Sequence, residues 1–246
     1  MKRYGLWLEP VSRTFGGARG VAAILGMLAL LMVSGQASAA DDAVEARQLV
    51  EKAQLTMESF ATDSNMTAMR DLLAKAKGVF IAPQVLKGAF VLGASGGSGV
   101  FLARQEDAKK WSQPAFYTIG GVSFGLQAGG EASEVVLLIM SERGVSAFLG
   151  NNFKLGADAS IAVGPVGAGV AGATAGLSAD VVSFSRAKGL YGGISVDGSV
   201  IAVRESLNTA YYGKSVTPTD ILVRHTVSNP QSADLITAVS KTASAR

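Results

Sequence analysis

The chain has no cysteine and a single histidine, His225, in 246 residues. Without cysteine there is no disulfide framework and no side chain on which a cysteine-linked lipid anchor can be built. With one histidine, only an oxygen-ligand metal site remains open, and no clustered D-x-D-x-D-G string supplies one. The P-loop string G-x-x-x-x-G-K-[ST] is absent as well. Aromatic residues make up 7% of the chain, thin for the two girdles of a membrane barrel. The apolar run at 20–33 has 14 residues, short of the roughly 20 that a membrane-spanning helix needs.

The net charge of +3 comes from 22 basic and 19 acidic residues. Four of the basic ones (Lys2, Arg3, Arg13, Arg19) and one acidic residue, Glu9, precede residue 40, which leaves 18 of each sign beyond it. The basic balance therefore belongs to the first segment, and bulk charge gives no reason to expect nucleic acid as a partner. That segment reads as a signal peptide over residues 1–39: basic residues, the apolar run, then Ala-Ser-Ala at 37–39 with small residues where a signal peptidase reads. An uncleaved anchor is the competing reading. Arg13 stands alone, so a twin-arginine signal is not supported. The expected localisation is export to the periplasm or cell envelope, or release from the cell.

Residues 40–246 read as one α+β domain. Two helices are predicted over 42–77. Asp42 with Glu45 resembles a capping box. Ala46, Leu49, Val50, Ala53, Met57 and Phe60 recur at steps of three and four. The polar stretch 62–65 breaks the pattern, and Met66, Met69, Leu72, Leu73 and Ala76 resume it, with Gly78 as a left-handed cap. Arg70, Lys75 and Lys77 suit the negative end of that helix.

A glycine-rich, mainly antiparallel β core follows over 78–204, sandwich or barrel-like, with about eight alternating segments. Pro83 is expected to end the first of them. Residues 135–140 are continuously apolar rather than alternating, which argues against a membrane barrel. A short helix is predicted near 142–149. Over 205–241 the pattern is helical again: irregular or briefly helical at 205–212, a start at Thr217-Pro218, and a final helix over 229–241. Helices, then strands, then helices is an α+β order.

The segment Gly93-Ala94-Ser95-Gly96-Gly97 admits three readings. As G-x-S-x-G it is a nucleophile elbow, with Asp158, Asp180, Asp197 or Asp220 and then His225 in hydrolase order. An elbow must enter a helix, however, and the residues after Ser95 read as strand. As a phosphate cradle it lacks the helix too. The same holds for Gly167-x-Gly169-x-x-Gly172, which precedes another β-like segment. As the tip of a hairpin it needs only small residues. The run 167–176 is bare on both faces, a strip that packs against another element or leaves room for a ligand.

Six strings occur in a familiar order: AKGVFIAP (76–83), KGAFVLGASGGSGVFLAR (87–104), WSQPAFYTIGGVSFGLQAGGE (111–131), ADASIAVGPVG (157–167), SFSRAKGLYGGISVDGS (183–199) and YYG (211–213). Together they resemble the SYLF domain, the lipid-binding and actin-associated Ysc84-type module, over about residues 44–241. The leader marks this chain as an exported bacterial member. The resemblance implies no enzymatic chemistry and no cofactor. It implies binding of membranes, with phosphoinositides as ligands in eukaryotic members and actin in yeast relatives.

An exported protein meets neither of those ligands in its own cell, which leaves anionic phospholipid head groups, or envelope or host proteins, as expected partners. The function expected is a non-catalytic phospholipid- or membrane-binding domain; the alternative is a structural or protein-interaction module of the envelope. Lys75, Lys77, Lys87, Arg104, Lys109, Lys110 and Trp111 are the candidate lipid contacts, with the amphipathic helix at 43–60. Each cation near an anionic surface contributes about 1 kcal/mol, and tryptophan suits a membrane–water interface. Against this, Glu106 and Asp107 offset the lysines, Trp111 suits a core, and the helix can bury Leu49, Met57 and Phe60 in the protein.

Overall fold

The apolar stripe of 42–77 folds as two helices joined by a tight turn. In the computed structural model, α1 spans Ala39–Thr62 and α2 spans Thr67–Leu73, with a 3₁₀ turn at Ser64–Met66 between them. The structure describes residues 39–89, 92–105, 110–124, 129–165, 178–187 and 196–244. The chain divides into two units, Met1–Ala37 and Ser38–Arg246, and every described residue belongs to the second. The proposed signal segment up to residue 38 thus lies outside the described residues.

Ala46, Leu49, Val50, Ala53, Met57 and Phe60 form the buried stripe of α1. Asp42 lies inside this helix rather than capping it, because α1 already begins at Ala39. Asp63 starts the turn by accepting from the Asn65 backbone N–H at 2.9 Å. Arg70 closes α1 by donating to the carbonyls of Ala61 (3.0 Å) and Asp63 (2.7 Å).

Gly78 does not cap α2. The helix closes at Ala74 in a right-handed conformation, and Gly78 opens a strand, where a Cβ would fall 2.5 Å from the Phe101 ring. A left-handed cap is unnecessary because Arg104 donates to the carbonyls of Leu73 (2.8 Å) and Ala74 (3.1 Å) from across the sheet.

Eight strands make one curled sheet, a half-barrel: β1 (Gly78–Ala89), β2 (Leu92–Ala103), β3 (Ala115–Phe124), β4 (Gly129–Ile139), β5 (Asn152–Lys154), β6 (Ile161–Val163), β7 (Val181–Ala187) and β8 (Val200–Val203). Their order is β5-β8-β3-β2-β1-β4-β7-β6. All pairs are antiparallel except β6 with β7.

The centre of the sheet is buried on both faces, which is why Val135 to Ile139 read as an unbroken apolar run. Val136 and Leu138 face one core with Val79, Ile81, Leu102 and the stripes of α1 and α2. Val135, Leu137 and Ile139 face the other, with Phe80, Phe101 and Tyr117.

Pro83 does not end β1. It sits in a β-bulge where the register skips against both neighbouring strands, and β1 continues to Ala89. A bulge suits proline because the ladder hydrogen bond is already interrupted there. Opposite it lies Gly97, where a Cβ would fall 2.3 Å from the Gln84 carbonyl oxygen. The stretch from Gly93 to Gly97 is therefore strand interior, paired with β1 on one side and β3 on the other. It is not a hairpin tip: the β1–β2 connection falls at 90–91, outside the described residues.

Beyond the sheet lie α3 (Glu142–Leu149), α4 (Glu205–Tyr212), α5 (Pro218–Leu222) and α6 (Ala233–Ser244), the last preceded by a 3₁₀ turn at Pro230–Ser232. Residues 205–212 are thus a regular helix, closed by Gly213 at φ 69°. Thr217 and Asp220 form the capping box of α5. The Thr217 hydroxyl and N–H and the Arg224 guanidinium all donate to Asp220, pulling its pKa down to about 2. His225 does not end that helix; it stands three residues beyond Leu222 at φ 51°. α1, α2, α4 and α6 cover one face of the sheet; α3 and α5 cover the other. Among the described residues, no helix is long and apolar enough to cross a membrane.

Candidate functional site

The six candidate lipid contacts among the described residues do not form one patch. Lys75, Lys77 and Arg104 line a recess of about 360 Å³ at one end of the sheet, with Gln105 and Glu142. Lys77 is ion-paired with Glu142. Lys110 is exposed beside them, its carbonyl accepting from the Gln105 N–H at 2.9 Å. Trp111 is 4% exposed and lies under the Arg104 guanidinium at 4.8 Å. It is a core residue and presents no face to a membrane. Arg104, already committed to the α2 carbonyls, is a staple more than a free cation. Lys87 lies ten residues along β1 from Lys77, on the order of 30 Å away at about 3.3 Å per residue, opposite Ser95 and Glu131. Lys109 and Gly167–Gly172 lie outside the described residues. The stripe of α1 is spent on the core, as its burial shows.

Ser95 and His225 are not within reach of each other. Ser95 Oγ donates weakly to the Gly121 carbonyl (3.4 Å). The His225 ring is 3.5 Å from the side chain of Gln105. Gln105 is ten residues from Ser95 along the line of β2, again on the order of 30 Å. Among the described residues, no group of His, Asp or Glu is placed to hold a metal ion.

Asp180 has a structural task. It accepts from Ser141 Oγ (2.5 Å), Arg143 Nε (3.0 Å), and the N–H (2.9 Å) and hydroxyl (2.6 Å) of Ser160. Burial pushes its carboxyl pKa up, but those donors outweigh burial and hold it well below the usual range. A depressed folded pKa adds stability above the unfolded value of about 3.9 and loses it as pH falls through the folded one. Asp180→Asn is therefore expected to lower stability by about 2 kcal/mol at pH 7 and by progressively less below pH 4. Urea unfolding at several pH values checks this; a pH-independent difference would contradict it.

A recess larger than the basic one lies elsewhere, along α1. This helix crosses the sheet at the level of the β1 bulge. At one side Glu45 pairs with Arg204, which also donates to Ser98 Oγ at 2.9 Å. At the other, Thr56 donates to Glu134 at 3.2 Å, and Arg186 donates to Ser59 Oγ at 2.7 Å and pairs with Glu134. Beyond α1, several side chains of the described sheet residues are exposed. On the α1 side, Leu86 stands in register with Gly96, which in turn faces Gly120, and Gly88 stands in register with Ala94, which faces Val122. Leu86 is 55%, Val122 83% and Leu55 of α1 62% exposed.

Two compartments, about 670 and 240 Å³, run along this flank of α1 and share Lys52, Pro83 and Gln84. The groove is lined by apolar side chains, hydroxyls, the amides of Gln48 and Gln84, the cations Lys52 and Arg186 and the carboxylates Glu45 and Glu134. Sequence reasoning missed it. The usable signal was Leu55, an apolar residue off the buried stripe of α1, together with glycine at 96 and 120 on one face of adjacent strands.

The family model Ysc84, described as Las17-binding protein actin regulator, matches residues 120–242. That range includes the Glu134–Arg186 wall of the groove, while α1 precedes it. SH3 domain-containing YSC84-like protein 1 of Homo sapiens is 37% identical over 166 residues, 67% of this chain and 48% of its own length. Its namesake in Xenopus laevis is 38% identical over 145 residues, 58% of this chain and 43% of its own length. Protein YSC84 of Saccharomyces cerevisiae is 36% identical over 156 residues, 61% and 33% respectively. The chain spans half or less of the length of these relatives.

Proposed function

The chain belongs to the Ysc84 family, and from that premise we propose that it is a non-catalytic domain of an exported protein that binds anionic phospholipid at a membrane surface. The observation that carries this reading is the groove along α1, where exposed Leu55 and Leu86 lie beside the exposed Lys52. Exposed apolar side chains beside a lysine suit an amphiphile with a negative head. The separation of Ser95 from His225 supports the absence of hydrolase chemistry. The leader pattern of residues 1–39 supports export, with cleavage after Ala39 checked by N-terminal sequencing of protein recovered from the envelope.

Co-sedimentation with vesicles of graded anionic content tests the reading. The protein is expected to pellet with anionic vesicles at low salt and less so as salt rises, since exposed charges are screened. Charge reversal of two exposed lysines at the basic recess, Lys75→Glu with Lys110→Glu, is expected to weaken vesicle affinity at least about thirtyfold at low salt, on about 1 kcal/mol per cation lost. An unchanged bound fraction with an intact fold would remove that recess from the contact surface. A second reading, a protein-interaction module, is favoured by the family description, which names Las17 binding and actin regulation. A protein that ignores vesicles of every composition and captures a protein partner would support it instead.

A further inference from the structure

Five asparagines occur in the chain, and only Asn65 has a hydroxyl residue two positions on, in Asn65-Met66-Thr67. No proline stands between them. That is the acceptor pattern for an N-linked sugar, a bulky and soluble group that needs a surface turn. The structure places the pattern on one. It runs from the 3₁₀ turn at Ser64–Met66 into the first residue of α2. Met66 is fully buried and pins the turn, while Asn65 is half-buried and Thr67 exposed.

Two other asparagines hold the fold together. Asn208 accepts from the Phe116 N–H at 3.0 Å and donates to the Phe116 carbonyl at 3.3 Å. Asn229 donates to the Tyr211 carbonyl at 2.8 Å and accepts from the Gln231 N–H at 3.0 Å. The Asn65 carboxamide makes no hydrogen bond among the described residues; only its backbone N–H is used, by Asp63. The fold leaves this side chain idle, and it is the one that the acceptor pattern selects.

Building on the export reading, we infer that Asn65 carries an N-linked sugar, attached while the chain crosses the membrane. In the transfer, Asn65 Nδ2 bonds to the anomeric carbon of a sugar carried on a lipid diphosphate. The bond from that carbon to the diphosphate oxygen breaks, and the diphosphate leaves with the electron pair. The amide proton passes to a base of the transferase. Folding closes the site. Thr67 Oγ donates to the Ser64 carbonyl at 3.1 Å and accepts from Arg70 Nη2 at 2.8 Å. The hydroxyl that completes the pattern is thus taken once Arg70 docks. α1 shares its layer with α4 and α6, and α2 with α6; those helices begin only at Glu205 and Ala233. The layer stays unfinished long after Thr67 has crossed, which leaves the turn open to the transferase.

Intact-mass spectrometry of the full chain, recovered from the envelope of the cells that make it, tests this. Wild-type protein is expected to exceed the mass of its mature sequence by at least one sugar residue. Fragmentation is expected to locate the addition on the peptide that contains Asn65. Thr67→Ser keeps the hydroxyl and is expected to stay modified. Asn65→Gln and Thr67→Ala are expected to show the bare mass. Because the Asn65 carboxamide holds nothing, Asn65→Gln is expected to fold like wild type by circular dichroism. Wild-type protein of bare mass in the envelope overturns the inference and leaves the export reading standing. Added mass that persists in Asn65→Gln overturns it as well. Protein kept inside the cell at bare mass, with its leader intact, overturns both.

Discussion

Phe148→Ala is expected to cost about 4 kcal/mol of folding stability, the middle of the range for losing a buried aromatic ring. Phe148 is fully buried on α3. Its ring is stacked on Phe101 at 3.9 Å and lies edge-on to Phe153 at 4.8 Å and Tyr117 at 5.3 Å, with Phe80 at 5.8 Å. The side chain comes from a helix while three of its partners come from the central strands, so the ring joins α3 to the inner face of the sheet. Truncation leaves a cavity that four rings must share, and rings held by strands paired on both sides relax little. The Tyr117 hydroxyl donates to the Phe148 backbone carbonyl at 2.6 Å, a bond the substitution leaves in place. The loss therefore reports packing. For a domain of this size about 4 kcal/mol corresponds to a fall in Tm on the order of 10 °C. Phe148→Leu, which keeps most of the volume, is expected to cost under about 1.5 kcal/mol. Equal effects of the two substitutions would show that the ring contacts are unimportant.

Arg186→Ala is expected to cost about 3 kcal/mol and to loosen α1 from the sheet. The Arg186 side chain is 17% exposed. Its guanidinium pairs with Glu134 through Nε at 2.9 Å and through Nη2, donates to Ser59 Oγ at 2.7 Å, and lies 3.6 Å from Asp63. It also rests 5.0 Å above the Phe60 ring. Three elements meet at one planar cation. Removing it leaves two carboxylates without their shared partner, and breaking a buried pair from one side costs about 3–5 kcal/mol. The lower figure applies because the Glu134 side chain is 30% exposed. Arg186→Lys is expected to recover less than half of the loss, since an ammonium cannot span three acceptors in a fixed fork. Chemical unfolding measures the cost, and faster amide exchange in α1 than in β4 locates it. Uniformly faster exchange would contradict the local account.

Much of the architecture was legible because its signals are local. The stripe of α1, the Thr217-Pro218 start of α5 and the polar break at 62–65 each depend on residues a few positions apart. The run from Val135 to Ile139 was legible as continuously apolar, though only the sheet order shows that two separate cores receive its side chains. Pro83 and the Gly93–Gly97 stretch misled for one shared reason. Proline and glycine mark turns from the sequence side, but a bulge and a close crossing of two backbones use the same residues inside a strand.

The candidate site was least legible, because its residues meet through space. Arg104 looked like a surface cation, whereas its partners at Leu73 and Ala74 lie some thirty positions earlier. Trp111 next to two lysines looked interfacial until the Arg104 staple covered it. The groove depends on which strand face α1 leaves uncovered, and no periodicity encodes that.

The packing of α1 against α4 and α6 also orders events in time. A chain made from its N-terminus completes α1 at Thr62, while the helices that share its layer begin at Glu205 and Ala233. At about 5–20 residues per second, the wait for the last of them is on the order of ten seconds. Throughout that interval the stripe from Ala46 to Phe60 has no finished layer to enter. The domain therefore matures only once its final helix has emerged, and its two ends are guardians of each other: a nascent chain stopped short of Ala233 leaves its oldest helix open to chaperones and proteases.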